Sequence, residues 1–497
     1  MTTLSTLKTL IFKLKREEIK SLLKFLRYYQ DSGEDSKGKS SQLVETILEE
    51  PDCTARDVQL SLYGIENYHA FNKLLNRTKD KIYEVMLFDQ NLSKPFYSER
   101  NRVVFEIRKK LVQSEILYLR GITDELESMH NKIISKAKQY EVYDSLIEAL
   151  QAKQRYLGFR FGKKAFNKIE TEILFFEENR KAVQQSRSLF TKVASKINES
   201  TSPNDYIDDL DKSIETMQQN FVTTNSATIG YYLYYLETEQ LHIKGDYNSA
   251  EVVLSNLLNL VTANPSVYTK ARHGDVLINL STNEIYLGDY QSAIANVVIA
   301  KSLYDPNSVT FDVAREIEFY ARFYSNDLDA SEKIIHEIYN SSRKSNTPFL
   351  FSKRAYLYAC IKTIRGDIIG SNELLMDVKE IEKDKEGWNL GKRILTIINR
   401  IELNELESVD LKVLSLEKFI KRILKFRHVR KRDVVILRIL LKLINEGFDY
   451  TKVYNQRKRY FDQLESNATD YCWKIKSPEL IIFHEWYKKK MNDRSKY

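Results

Sequence analysis

The sequence predicts an all-α protein, a right-handed superhelical stack of antiparallel helix pairs with a small helical domain at its N-terminal side. Three observations carry this. Breakers are scarce: 15 Gly and 7 Pro in 497 residues are too few to turn many strands and hairpins, whereas long helices need few. Leu, Ile, Lys and Glu recur at helical spacing throughout, and a 42% hydrophobic fraction with 31 Tyr and 23 Phe is enough to bury cores. A turn signature repeats at near-constant spacing through the second half. A chain of this length exceeds one ordinary core and grows by adding domains or repeats; the composition favours repeats.

Residues 1–95 read as the separate helical domain. An amphipathic helix over residues 4–29 gives way to a polar stretch over 31–41, short helices over 42–49 and 55–62, and a long helix over 68–88. The succession of short helices has a helix-turn-helix flavour, and Lys73, Arg77 and Lys81 share one face of the last. The first 100 residues nevertheless carry 16 bases and 15 acids, without the basic surface that DNA readout calls for. Residues 33–40, Gly-Glu-Asp-Ser-Lys-Gly-Lys-Ser, match the phosphate-loop pattern G-x-x-x-x-G-K-[ST]. There Lys39 would neutralise phosphates and Ser40 would hold Mg²⁺. A phosphate loop follows a buried strand, whereas here the preceding pattern is helical and Glu34 and Asp35 would repel phosphate, so a flexible polar loop is the expected reading and nucleotide binding a minor alternative.

Residues 96–225 read as further helices, over 102–120, 124–137, 140–157 and 164–197, with Ser202-Pro203 opening another. In the third, Tyr143, Leu146, Ile147, Leu150 and Leu157 trace one apolar stripe at helical spacing. These helices are expected to be diverged hairpins continuing the same superhelix.

Residues 226–466 carry the repeat. Gly245-Asp246-Tyr247-x-x-Ala250 is followed 43 residues later by Gly288-Asp289-Tyr290-x-x-Ala293, then by Asn326-Asp327-Leu328-x-x-Ser331 and Gly366-Asp367-Ile368-x-x-Ser371 at steps of 38 and 40. The first residue ends one helix, Asp caps the next, the aromatic or aliphatic residue packs back into the hairpin, and the small residue lets the two helices approach. Pro265, Pro306 and Pro348 are expected at the opposite junctions, where a new helix starts. Weaker units are placed around Glu407-Ser408-Val409 and Gly447-Phe448-Asp449-Tyr450. This element resembles the turn between helices A and B of a tetratricopeptide repeat, although the spacing here exceeds that family's period of about 34. The resemblance implies an α-solenoid whose inner surface, lined by the first helix of each pair, binds an extended peptide or a partner domain. Tyr234, Tyr235 and Leu236 would lie on such an A helix. Residues 467–497 are expected to be a capping helix, over 478–490 with its polar side outward, and a tail.

Charge is uneven. Residues 411–497 hold 22 Lys and Arg against 10 Asp and Glu, which exceeds the whole-chain net of +8. Lys418, Lys421, Arg422 and Lys425 follow helical spacing, Arg427, Arg430, Lys431 and Arg432 cross the next junction, and Arg457, Lys458 and Arg459 follow. These are the candidate partner-binding residues. They suit an acidic protein, or nucleic acid, where each phosphate contact releases counterions; a solvated basic face is the bland alternative.

The exclusions are as informative. No secretory or other targeting segment is expected at the start of the chain. The longest apolar stretch, residues 434–444, is interrupted by Arg438 and Lys442 and is short of the roughly 20 residues that span a bilayer. Cys53, Cys360 and Cys472 are odd in number and far apart, giving neither a disulfide framework nor a metal set. The seven histidines contain no i, i+4 pair, and nucleophile-elbow and dinucleotide-turn motifs are missing. The expectation is a cytoplasmic, non-enzymatic adaptor or scaffold without cofactor. Its runner-up is a nucleic-acid-binding or regulatory protein using the basic C-terminal region; partner identity and oligomeric state stay open.

Overall fold

A computed structural model describes residues 3–14, 16–28, 38–87, 98–200, 203–342, 348–381, 384, 387–424, 430–466 and 471–494. Among the described residues there are 24 α-helices and no strand. The chain folds into two compact units, Met1–Ser98 and Glu99–Tyr497.

In the first unit the expected opening helix is two: α1 (Leu4–Lys13) and α2 (Arg16–Tyr28), because Leu14 leaves the helix with extended ψ. The break has a packing reason. One straight helix of that length would run on the order of 39 Å, longer than α5 (Tyr68–Leu87), whereas two short helices both lie against α5. Between them come α3 (Lys39–Glu49) and α4 (Ala55–Tyr63), the latter opened by a capping box in which the Thr54 and Asp57 side chains satisfy each other's backbone N–H. Leu7, Ile11, Leu22, Val44, Ile47, Phe71 and Leu75 close the core.

The second unit begins with α6 (Glu99–Leu119), α7 (Leu126–Gln139), α8 (Tyr143–Phe161), α9 (Lys163–Glu199) and α10 (Ile207–Thr224). Each packs on its chain neighbour. Between α7 and α8, Glu141 stands at φ 50°. Its carboxylate accepts the Ser226 hydroxyl at 2.7 Å and the N–H groups of Ala227 and Thr228 at 2.7 and 3.1 Å. It therefore caps the helix 85 residues on, where a carboxylate complements the positive end of the helix dipole.

Six helix pairs follow: α11 (Ala227–Lys244) and α12 (Tyr247–Ala263), α13 (Lys270–Leu287) and α14 (Tyr290–Leu303), α15 (Val309–Tyr324) and α16 (Leu328–Ser342), α17 (Pro348–Ile364) and α18 (Ile368–Asp377), α19 (Trp388–Glu402) and α20 (Leu406–Ile423), and α21 (Lys431–Asn445) with the short α22 (Tyr450–Gln456). We call the first helix of each pair A and the second B. The A-to-B turns share one construction, complete in the first four; at the fifth, Glu405 makes no side-chain cap bond. Gly245, Gly288, Asn326, Gly366 and Asn404 stand at φ 72°, 81°, 66°, 83° and 57°, the left-handed conformation that Gly and Asn accept most cheaply. The next residue caps: Asp246, Asp289, Asp327, Asp367 and, in the last pair, Asp449 accept the N–H three residues on. Ala250, Ala293, Ser331 and Ser371 are fully buried where the B helix crosses its A partner. The fifth turn is Asn404-Glu405-Leu406, three residues before its expected place; Val409, not Leu406, is the buried residue that corresponds to Ala250.

The layers follow from who touches whom. Besides their chain neighbours, A helices meet one another, α13 on α15 and α17 on α19. The A helices are the more enclosed, with Val276, Leu277, Leu280 and Ile285 on α13 and Ala355, Leu357, Ala359 and Ile361 on α17 all buried; each fully buried aliphatic side chain is worth roughly 2 kcal/mol. The B helices keep one face in water and expose Val252, Val298, Ile369 and Leu411 there. Pro265 and Pro306 lie in the B-to-A connections and Pro348 opens α17.

The C-terminal part departs from expectation. After α23 (Lys458–Glu465) the last helix is α24 (Phe483–Arg494), five residues later than predicted and four longer at its far end. Its Phe483, Trp486 and Tyr487 pack with Tyr450, Phe461 and Leu464, while Glu485, Lys489 and Asp493 face water. Residues 471–482 are not helical, because their backbone and side chains are bound elsewhere in the stack.

Candidate functional site: the face of the A helices

Residues 471–482 run along the A helices and touch five of them in succession, α13, α15, α17, α19 and α21. The Lys476 N–H donates to the Tyr324 hydroxyl of α15 at 2.8 Å. The Lys476 ammonium sits 5.9 Å from the Tyr286 ring centre on α13 and 5.7 Å from that of Tyr320 on α15, close enough for cation–π attraction. The Tyr356 hydroxyl of α17 donates to the Pro478 carbonyl. On α19, Gly391 is the residue under Pro478: a Cβ there would stand 2.9 Å from the Pro478 Cβ and 2.8 Å from the Tyr356 hydroxyl. A helical glycine costs roughly 1 kcal/mol against alanine, so close approach of the segment is what the residue provides.

On α21 the contact is ionic. Arg432 is 2% exposed and forks onto the Glu479 carboxylate, Nε at 2.6 Å and Nη2 at 2.8 Å. Its Nη1 donates to the Leu464 and Tyr471 carbonyls at 2.7 and 2.8 Å, and its Nη2 lies 3.1 Å from His484 Nδ1. The Glu479 carboxylate also accepts the Phe483 N–H at 2.9 Å, which starts α24. Burial, followed by the positive charge of Arg432, lowers the His484 pKa, which favours the neutral imidazole beside the guanidinium. Ser477, Pro478, Glu479 and Leu480 are all buried. The Trp473 indole donates to the Glu479 carbonyl at 2.8 Å and sets its ring edge-on to Tyr324. A pocket of about 20 Å³, room for one water, remains among Cys360, Gly391, Arg430, Asp433 and Glu479. Burial pushes the Cys360 thiol up to about 12 and the Tyr356 phenol well above its ordinary value; neither is poised as a nucleophile.

The structure disperses the basic residues that the sequence grouped. Lys418, Lys421 and Arg422 are exposed on α20; Lys421 pairs with Glu417 at 2.7 Å and Arg422 approaches Glu380 at 3.6 Å. Lys425 and Arg427 lie outside the described residues. Arg430 turns inward and forks onto the buried Asp433 with two bonds of 2.9 Å. Arg432 is a correction: it belongs to the interior, because a carboxylate and two carbonyls there take its guanidinium. Arg457 packs on Tyr460, 5.4 Å from the ring centre, while Lys458 and Arg459 are exposed. Two of the set do meet. Lys431 and Arg459 line a cleft of about 550 Å³ together with Arg438, Tyr460, Gln463 and Tyr471, and among the described residues no carboxylate lines it. Arg438, which in the sequence only interrupts an apolar run, is exposed between the buried Val435, Ile436, Leu437, Ile439 and Leu440 of α21; nothing local in the sequence marks it for this cleft.

At the phosphate-loop match, residues 33–37 lie outside the described residues. Gly38 stands at φ 78°, Lys39 opens α3 and lays its ammonium 4.4 Å from the centre of the Tyr63 ring. The element before it is the helix α2. Tyr234 and Tyr235 are half-buried against Phe221 and Phe190, and Leu236 is core. Among the described residues no three His, Cys, Asp or Glu side chains are grouped to hold a metal, and no helix is long and apolar enough to cross a membrane. Neither the models of known protein families nor the curated proteins give a match to this chain.

Proposed function

We propose that this protein is an adaptor or scaffold, without catalytic activity, that binds an extended peptide or a partner domain on the face of its A helices. The finer likeness to tetratricopeptide repeats belongs to this proposal, on the strength of the Gly/Asn-Asp turns and the buried small residue of each B helix. One observation carries it: the A face already holds a non-helical stretch of chain, residues 471–482, by hydroxyl and guanidinium bonds to its backbone. Backbone-directed bonds hold a main-chain path rather than one sequence, which is what a peptide-binding surface requires. The test is a photoreactive phenylalanine at Tyr231 or Tyr286 on the A helices, compared with one at Val252 or Val298 on the B helices, in cells that make the protein. Partner adducts are expected from the A positions; adducts from the B positions alone overturn the reading.

A second reading, a phosphate-bearing partner such as nucleic acid, has one observation in its favour, the cleft that Lys431, Arg438 and Arg459 line together. It calls for binding that weakens steeply with salt and falls on charge reversal at Arg438 and Arg459. Binding that ignores both changes removes it.

A further inference from the structure

We infer that residues 473–482 are a ligand held in cis, and that a partner enters the A face by taking their place with the same chemistry: a non-helical segment with a proline–carboxylate–aliphatic core and a basic residue two positions before the proline. This rests on the adaptor reading and specifies its site and its regulation.

Each part of that chemistry has a receptor. The carboxylate meets Arg432, a cation that without Glu479 would be left buried beside two carbonyls, so the site demands an anion there. Proline supplies an extended backbone with no N–H to satisfy; its carbonyl takes the Tyr356 hydroxyl, and Gly391 leaves room for its ring. The aliphatic residue is Leu480, which joins the core beside Tyr356 and Leu395. The basic residue lies over the tyrosine rings of α13 and α15.

The hold is also imperfect in a way that favours exchange. Lys476, in the turn that the Ser477 N–H closes onto the Lys474 carbonyl at 3.1 Å, stands at φ 60°, a conformation that a side chain with a Cβ adopts at a cost. A ligand with glycine or a straighter path there avoids that cost. The segment is therefore a competitor whose affinity is set below what the groove can offer, and occupancy of the groove is regulated by the chain itself.

The test uses the full chain and a fluorescent synthetic peptide of residues 471–486 as the probe. Glu479→Ala weakens the cis segment and leaves the groove intact. It is expected to bind the probe at least tenfold more tightly than the unsubstituted chain and to speed thiol labelling at Cys472. Adding Gly391→Ala, whose methyl group would stand 2.9 Å from the proline ring, is expected to abolish that gain. Equal or absent probe binding in the unsubstituted chain and in Glu479→Ala, both with native helicity, overturns the inference. Should Glu479→Ala not fold, hydrogen exchange on the unsubstituted chain decides. Amides of 473–482 exchanging at least tenfold faster than those of α15 and α17 support a displaceable segment; equal protection makes it permanent core and overturns it. Probe binding combined with photo-adducts from the B helices alone would leave the cis ligand standing while the adaptor reading falls.

Discussion

Replacing Arg432 by methionine tests how the C-terminal end of the stack is held. The side chain is 2% exposed and gives two bonds to Glu479 and one to each of two carbonyls. Removing one member of a buried pair leaves the other charged and unpaired, at a cost of about 3–5 kcal/mol. The two carbonyls lose a charged donor as well, so the upper part of that range is expected. In a stack of repeats the loss stays near its origin, because stability is approximately a sum of neighbouring interfaces. Urea titration followed by hydrogen exchange should show it: α19, α21 and α24 lose about 4 kcal/mol of protection while α11 to α14 keep theirs. Arg432→Met with Glu479→Leu should cost less than Arg432→Met alone, since no charge is then stranded. A loss below about 1 kcal/mol, the range of an exposed pair, or a loss spread evenly over α11 to α24, would refute the buried latch.

Three other outcomes follow from single contacts. Gly274→Ala would place a Cβ 2.6 Å from the Tyr304 ring, whose hydroxyl is held by Asp275 at 2.8 Å; the melt should fall by about 1–3 kcal/mol from overpacking, although alanine is the better helix former. Native thiol titration should find Cys472 reactive and Cys53 and Cys360 protected, because the first is half-buried and the others buried; three equally fast thiols would contradict the packing. The hydrogen bonds to Ser292 hold the Asp289 carboxyl below its ordinary pKa, and that to Gly370 does the same for Asp367. Such caps stabilise fully above the ordinary carboxylate range and lose their effect as pH falls through the lowered value. Asp289→Asn, which caps without titrating, should therefore flatten the acid limb of a plot of melting temperature against pH, and an unchanged limb would count against the cap.

The helix pairs were legible because their determinants are local. A left-handed residue, a capping Asp and a buried small residue sit within six positions of one another, so Gly245-Asp246 and Gly288-Asp289 announce the turn whatever else the chain does. The fifth turn was misplaced because Asn404 and Glu405 are weaker versions of the same residues. Asparagine bridges escaped notice too: Asn283 and Asn399, each five residues before its turn, bond back to Tyr247 and to Ser371 of the preceding pair. Their spacing from the turn was available in the sequence, but only the structure shows that position to be the contact between pairs.

What the sequence concealed is long-range. Pro478 followed by Glu479 and an apolar run has the signature of a helix start, and in isolation it would be one. The start fails because Glu479 answers to Arg432, 47 residues earlier, and Pro478 to Tyr356, 122 earlier. The same pairing explains why Arg432 was misread: in a run of basic residues, nothing local separates the one that goes inside from those that stay out. The two errors are thus one interaction seen from its two ends, and its energetics limit how the segment behaves. Release exposes Leu480 and strands Arg432, both unfavourable in water. If the segment is the cis ligand inferred above, it would leave only in exchange for a ligand that covers the same face, because a ligand shifts an equilibrium only by its differential affinity for the two states. A partner lacking the carboxylate would have to supply that difference from apolar contact alone.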